Sequence, residues 1–205
     1  MKLIVLAASG ATGRELTRQA LDRGHSVTAI VRNPKRLEVP ESAQLTVLTA
    51  DIRDPGSLAE AFREGTTVLS GLGIANGEQP GVLAAGARAV ADARPERIIW
   101  LGAFGTGVSA PAAGPLTRTL LKVFLKAELV DKVAADTAVL AAGGTVFHAG
   151  PLSDGALSGD RRTLTLDEVP RRLFPARVSR ATVAALMLDE AEAGRHPGET
   201  VVPVN

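Results

Sequence analysis

Three groups of residues in this chain have types and spacing that could do chemistry. The first is Ala7-Ala8-Ser9-Gly10-Ala11-Thr12-Gly13, which follows the apolar run from Lys2 to Leu6. Its two glycines stand three apart, where a strand must turn into a helix. Glycine accepts positive φ and lets a ligand or a second backbone come close. A helix starting there aims unpaired N–H groups and the positive end of its dipole at the turn, which suits a pyrophosphate. Ser9, Gly10, Ala11, Thr12 and Gly13 are therefore candidates for holding the diphosphate of a dinucleotide. A full glycine fingerprint has a further glycine three positions before Gly10, where this chain has Ala7. The extra methyl is tolerable if Ala7 keeps ordinary strand dihedrals. Taken alone, the turn also fits a strand–helix connection whose glycines serve packing only.

The second group is Arg32-Asn33-Pro34-Lys35-Arg36. In a dinucleotide site an acidic residue here would bind a ribose 2′-hydroxyl, and an arginine accommodates a 2′-phosphate. Cations dominate the stretch and no carboxylate appears before Glu38, which favours NADPH over NADH through Arg32 and Arg36. The alternative is a solvated loop of ordinary surface charges. The third group comprises the side chains that could handle a proton. His148 is of the residue type suited to acid–base work near neutral pH, and Lys132 is the other candidate. A buried, hydrogen-bonded histidine and an exposed helix lysine are the competing readings. The chain has no tyrosine and no cysteine, so it offers no thiolate nucleophile, disulfide or cysteine-based metal site.

These groups need elements to position them, and the pattern supplies them. Lys2 to Leu6 reads as a buried strand. Arg14 to Arg23 carries Leu16, Ala20 and Leu21 at helical spacing, and Gly24 stands as its C-cap glycine. Ser26 to Val31 is a β-branched strand, completing a βαβ unit of about 30 residues. Further strands are expected at Leu45–Leu48, Thr67–Ser70, Arg97–Leu101 and Thr145–His148. Helices are expected at Ser57–Phe62, with Asp54 and Pro55 at its start, at Gly81–Ala93 and at about Leu116–Ala142. Small residues follow successive strands, as in Gly71-Leu72-Gly73 and Gly102-Ala103. They leave room at the carboxyl edge of a parallel sheet, where ligands bind. Phe104 to Pro115 is long and rich in Gly and Pro, the expected lid, with Phe104 able to stack on a flat ring.

The fold class expected is α/β: a Rossmann-like doubly wound parallel sheet in a single domain, residues 1–205. Residues 1–150 form the dinucleotide-binding core and residues 151–205 a smaller substrate-side extension. A length of 205 residues suffices for a sizeable core, and a net charge of +1 gives no pull toward nucleic acid or membrane. The apolar runs are short for a bilayer span and the N-terminus lacks the pattern of a cleaved signal, so the expectation is a soluble cytoplasmic protein, monomer or homodimer.

The chain resembles the atypical, extended-type short-chain dehydrogenase/reductase group with NAD(P)H-binding, NmrA-like domains, and within it the biliverdin-IXβ/flavin reductase type. The likeness covers essentially the whole chain. The group's opening G-A-T-G-x-T-G corresponds to Ala7 to Gly13, and a V-R strand end to Val31-Arg32. Its G-D-V corresponds to Ala50-Asp51-Ile52, which the resemblance places against the adenine. Two later motifs correspond to Ala149-Gly150-Pro151-Leu152-Ser153-Asp154-Gly155 and to Val178-Ser179-Arg180-Ala181-Thr182-Val183-Ala184. The resemblance implies NADPH as cofactor, with Leu72, Gly73, Gly102, Ala103, Phe104, Lys132, Gly150, Pro151 and Leu152 along its path. It also implies a small-molecule substrate. The missing tyrosine removes the Tyr-x-x-x-Lys acid–base pair of ordinary short-chain dehydrogenases. A flat conjugated acceptor such as a flavin or quinone needs that help least, because it delocalises the incoming charge. Arg161, Arg162, Arg171, Arg172, Arg177 and Arg180 crowd the substrate side and could meet an acidic substrate. The alternative is that most are solvated or pair with Asp160, Asp167 and Glu168. Two other functions stay open: a non-catalytic NADP(H) sensor, and a ketoreductase or epimerase using His148 or Lys132 in place of tyrosine.

Overall fold

The computed structural model describes residues 1–58, 62, 66–73, 81–114, 119 and 126–205. The chain opens with strand β1 (Lys2–Leu6), helix α1 (Ala11–Asp22) and strand β2 (Ser26–Val31). Both strands are nearly continuous apolar runs with most residues buried, the mark of parallel strands covered on both faces. Helix α1 ends as the pattern predicts. Gly24 takes φ 79°, and the N–H of His25 returns to the carbonyl of Ala20 at 3.0 Å. Strand β3 (Leu45–Thr49), the short helix α2 (Pro55–Leu58), β4 (Thr66–Ser70), α3 (Val82–Asp92) and β5 (Arg97–Ala103) follow. Helix α4 (Lys126–Ala141) is the described part of the expected long helix; the stretch from Leu116 to Leu125, like 59–61 of the earlier expected helix, lies outside the described residues apart from Thr119.

The main sheet has eight strands in the order β3-β2-β1-β4-β5-β6-β10-β8, with β6 at Thr145–Ala149, β8 at Arg162–Thr165 and β10 at Thr200–Val204. All neighbours are parallel except β10 and β8. The first six strands have the order of a doubly wound Rossmann sheet, whose winding reverses between β1 and β4. One face is covered by α1 and α5 (Arg180–Ala193) and packs around Leu16, Phe147 and Met187. The other is covered by α3 and α4 and packs around Leu83, Trp100 and Val139.

Residues 151–205 contribute to both the main sheet and a smaller one. Helix α5 and strand β10 are built into the core. Strand β8 is the edge of the main sheet, while β7 (Leu152–Ser153) pairs with β9 (Val178–Ser179) in a separate two-stranded sheet. Helix α5 is buried on nearly all sides, so its sequence shows no one-sided stripe.

Candidate functional site

A cleft of about 560 Å³ opens at the carboxyl edge of the sheet, over the point where the winding reverses. Ser9, Gly10, Ala11 and Thr12 form its floor at the start of α1. No side chain caps α1, and the N–H of Gly10 is turned back to the carbonyl of Ala7 at 2.8 Å. The first turn of α1 therefore presents uncapped N–H groups at the cleft. The N-terminus of α3 also borders the cleft, through Val82, but it is plugged. The buried Asp131 on α4 accepts from the N–H of Leu83 at 3.1 Å and of Ala84 at 2.9 Å. Of these two helix ends, α1 is the one left to receive an anion.

The glycines have distinct tasks. Gly13 does not line the cleft. A Cβ on it would drive into the backbone of Ala7 and Ala8, so Gly13 lets α1 close on β1. Gly71, across on the end of β4, would press a Cβ to 3.1 Å from the amide nitrogen of Gly13. Ala7 departs from the sequence expectation. Its φ is +53°, in the left-handed region, where the side chain costs about 1–2 kcal/mol. The turn demands the glycine conformation and this chain meets it with alanine.

At the end of β2, Arg32 and Arg36 line the cleft. Asn33 accepts from the N–H of Lys35 at 3.1 Å and Pro34 starts a 3₁₀ turn, which carries Arg36 inward. Glu38 is drawn off into an ion pair with Arg14 at 2.8 Å and does not reach the cleft. Asp51 and Ile52 line the wall after β3, and Asp51 holds its turn by accepting from the N–H of Arg53 at 2.9 Å. Leu72, Gly73, Gly102, Ala103, Lys132, Gly150 and Leu152 line the remainder. The cleft thus joins an open helix terminus, a two-arginine end and a small-residue wall. These could hold a dinucleotide, with its diphosphate at the start of α1.

Besides Gly13, two residues expected at the cofactor, Phe104 and Pro151, and the expected proton donor His148 do not line the cleft. Phe104 is buried with Ala113 and Val202 and lines a second cavity. Pro151 is outside both cavities, its carbonyl accepting from the N–H of Val178 at 3.1 Å. His148, fully buried, does not line the cleft. Its Nδ1 is 2.6 Å from Oγ of Ser109, and its Nε2 is 3.0 Å from Oδ2 of Asp136. It stands directly behind Gly102, where a Cβ would come within 2.7 Å of the ring. Serine, histidine and aspartate are the members of a nucleophilic relay, but Ser109 is fully buried and also accepts from the N–H of Gly105 at 2.8 Å. The trio works as a clamp. It fixes the expected lid, whose described part, 104–114, is a compact turn. Thr106 donates its hydroxyl to the carbonyl of Ala103 at 2.8 Å in the same turn.

Arg180, whose sequence position implies no cofactor role, lines the cleft. It opens α5 just after the capping residue Ser179 and is ion-paired to Asp154. Both belong to motifs visible in the sequence, so proximity, not identity, was the missing signal. Among the described residues no group of three or more His, Cys, Asp or Glu is placed to hold a metal, and no helix is long and apolar enough to cross a membrane.

The profile of the NAD(P)H-binding family matches residues 7–193. The chain belongs to the NAD(P)H-binding family. The match takes in the α1 turn, the arginine end and all of α5, in line with the atypical reductase resemblance carried by the motifs. Among individual relatives, the uncharacterized protein YwnB of Bacillus subtilis is 31% identical over 109 residues, 52% of this chain and 49% of that protein. The chain spans about half the length of that relative and a quarter or less of the two other curated relatives it matches. Among solved structures, ChuY of Escherichia coli O157:H7, an anaerobillin reductase, superposes with a TM-score of 0.79. It is 22% identical and covers 100% of this chain and 97% of its own. A candidate NADH-flavin reductase of Streptococcus pneumoniae has a TM-score of 0.77 at 19% identity, over 100% of this chain and 99% of its own. At these identities the likeness is one of fold.

Proposed function

We propose that the protein is an NADPH-dependent reductase that passes hydride to a flat conjugated acceptor such as a flavin or quinone. The observation that carries this reading is the pairing of the uncapped α1 terminus with Arg32 and Arg36 across one cleft, while Glu38 is withdrawn by Arg14. Reductases among the structural relatives support the direction of the chemistry.

The bound nicotinamide supplies the hydride, and the protein supplies binding and orientation. Ser9 to Thr12 hold the diphosphate with backbone N–H groups. Arg32 and Arg36 hold the 2′-phosphate. Gly102, Ala103 and Gly150 leave a wall without side-chain bulk, against which a flat ring can lie. Lys132 is the cationic side chain of α4 in the cleft and takes the ribose or the proton-donating role. His148 reaches no ligand and acts by holding the 104–114 turn. A ketoreductase reading therefore loses its best donor.

The test is NADPH oxidation against flavins, quinones and small ketones, with cofactor titrations of Arg32→Ala. Loss of a charge-assisted bond, worth about 1.5–3 kcal/mol, should weaken NADPH by about tenfold or more and leave NADH nearly unchanged. Equal effects on both cofactors, or turnover of ketones alone, overturn the reading.

A further inference from the structure

Lys132 is the half-buried cation of α4 that lines the cleft. Its charge rides on a flexible four-carbon stem, so where the ammonium goes depends on how firmly its helix is seated. Two buried carboxylates seat that helix on either side of it. Asp131, one residue before, accepts from the N–H groups of Leu83 and Ala84 and ties α4 to α3. Asp136, one turn after, accepts at 3.0 Å from Nε2 of His148 and ties α4 to β6. Asp136 is 4% exposed and His148 is 0% exposed. Residues 132 and 136 stand four apart, so they share one face of the helix. The bond that holds Asp136 therefore also sets the rotation of α4 at the root of Lys132.

The far side of the histidine ring is fixed as closely. Its Nδ1 meets Oγ of Ser109 at 2.6 Å, and that hydroxyl also accepts from the N–H of Gly105 at 2.8 Å. The N–H of Ser109 reaches the carbonyl of Thr106 at 3.0 Å, so the turn behind the ring is closed by its own backbone. The ring cannot swing without breaking a bond at each nitrogen. Room for the bond between His148 and Asp136 comes from Gly102, the register partner of His148 on β5 and itself part of the cleft wall. A Cβ there would come to 2.7 Å from Cδ2 of His148 and 3.0 Å from Oδ1 of Asp136. Anchor and wall are thus in contact, and the cation springs from the turn of α4 just before the anchor.

We propose that Asp136, through His148, is a positioning residue for Lys132: the buried bond aims the ammonium into the cleft beside Gly102 and Ala103. What Lys132 does there rests on the reductase reading; the placement of its side chain does not. A misplacement of about 1 Å can cost about a hundredfold in rate, so a bond one helical turn from the cation carries weight.

Two measurements on the full chain test this. In the first, lysines are labelled briefly with sulfosuccinimidyl acetate and read by peptide mass mapping, with the exposed Lys2 and Lys35 as references. Asp136→Leu removes the acceptor, and labelling of Lys132 relative to the references should rise by about threefold as its stem is released. Asp136→Asn still accepts from Nε2 and should bring back most of the unsubstituted rate. If Asp136→Leu does not fold, Asp136→Ser, too short to reach Nε2, carries the same expectation. The second measurement is a double-mutant cycle on flavin turnover with NADPH. Asp136→Leu alone should lower kcat by about tenfold with the flavin KM within about twofold, and in a Lys132→Ala background it should cost less than about twofold. Unchanged labelling in a folded Asp136→Leu, equal harm from the Asn and Leu variants, or fully additive losses in the cycle overturns the proposal. Failure of the unsubstituted protein to bind NADPH overturns the reductase reading instead, and the labelling still decides the placement of Lys132.

Discussion

Ala7 carries the sharpest residue-scale prediction. Its left-handed φ of +53° is a conformation that glycine adopts freely and alanine does not. Ala7→Gly should stabilise the protein by up to about 1.5 kcal/mol, the relief of about 1–2 kcal/mol less about 0.5–1 for glycine's greater freedom when unfolded. Urea denaturation with and without NADPH reads it out; a destabilised variant shows that the methyl packs usefully. The sequence displayed the missing glycine but not the backbone it must obey, because alanine fits a strand and a turn alike. His148 teaches the same lesson. Its position at a strand end was legible, whereas its partners Ser109 and Asp136 come from sequence distances of 39 and 12 residues. His148→Ala should cost about 1–3 kcal/mol of stability, by leaving Asp136 without its partner, and lower flavin turnover by much less than 100-fold with NADPH binding intact. A turnover loss beyond that size, with stability unchanged, reverses the assignment.

At the scale of elements, the junction of α3 and α4 is decided by one carboxylate. Asp131 replaces the missing cap of α3, whose N-cap is Gly81 at φ 101° with no side-chain bond. Asp131→Ala strands two buried N–H groups and should destabilise by about 1–3 kcal/mol, measured by thermal or urea unfolding. An unperturbed melt shows that water caps the helix equally well. This joint was invisible in the sequence, since the cap comes from 48 and 47 residues away. In the βαβ opening both strands were legible to the residue and the helix to within three residues, because periodicity, a C-cap glycine and β-branched runs agree there. The C-terminal third was less so. Helix α5 is apolar on most sides, and β8 is four residues long and antiparallel, so neither leaves a strong pattern.

For the whole molecule, acid should loosen the side of the sheet where the end of α1 meets α5. Burial raises the Glu192 carboxyl, but hydrogen bonds from His25 and Arg23 outweigh it and hold the group below the ordinary glutamate value. A depressed value means stabilisation present above the unfolded-state value of about 4.3 and lost as pH falls through the folded one. Melting temperature should fall between about pH 5 and pH 3, and Glu192→Gln should flatten that fall. Identical slopes in both proteins remove Glu192 from the account. The strand order has a consequence on another axis, that of time. Strand β10, at 200–204, lies between β6 and β8 in the sheet, so a ribosome must finish some fifty further residues before the edge of β6 is covered. Until then the growing chain carries an open, apolar strand edge and an unpaired β8, the conditions under which nascent chains stick to one another. Slow steps in biogenesis, and any need for a chaperone, should fall at this last insertion.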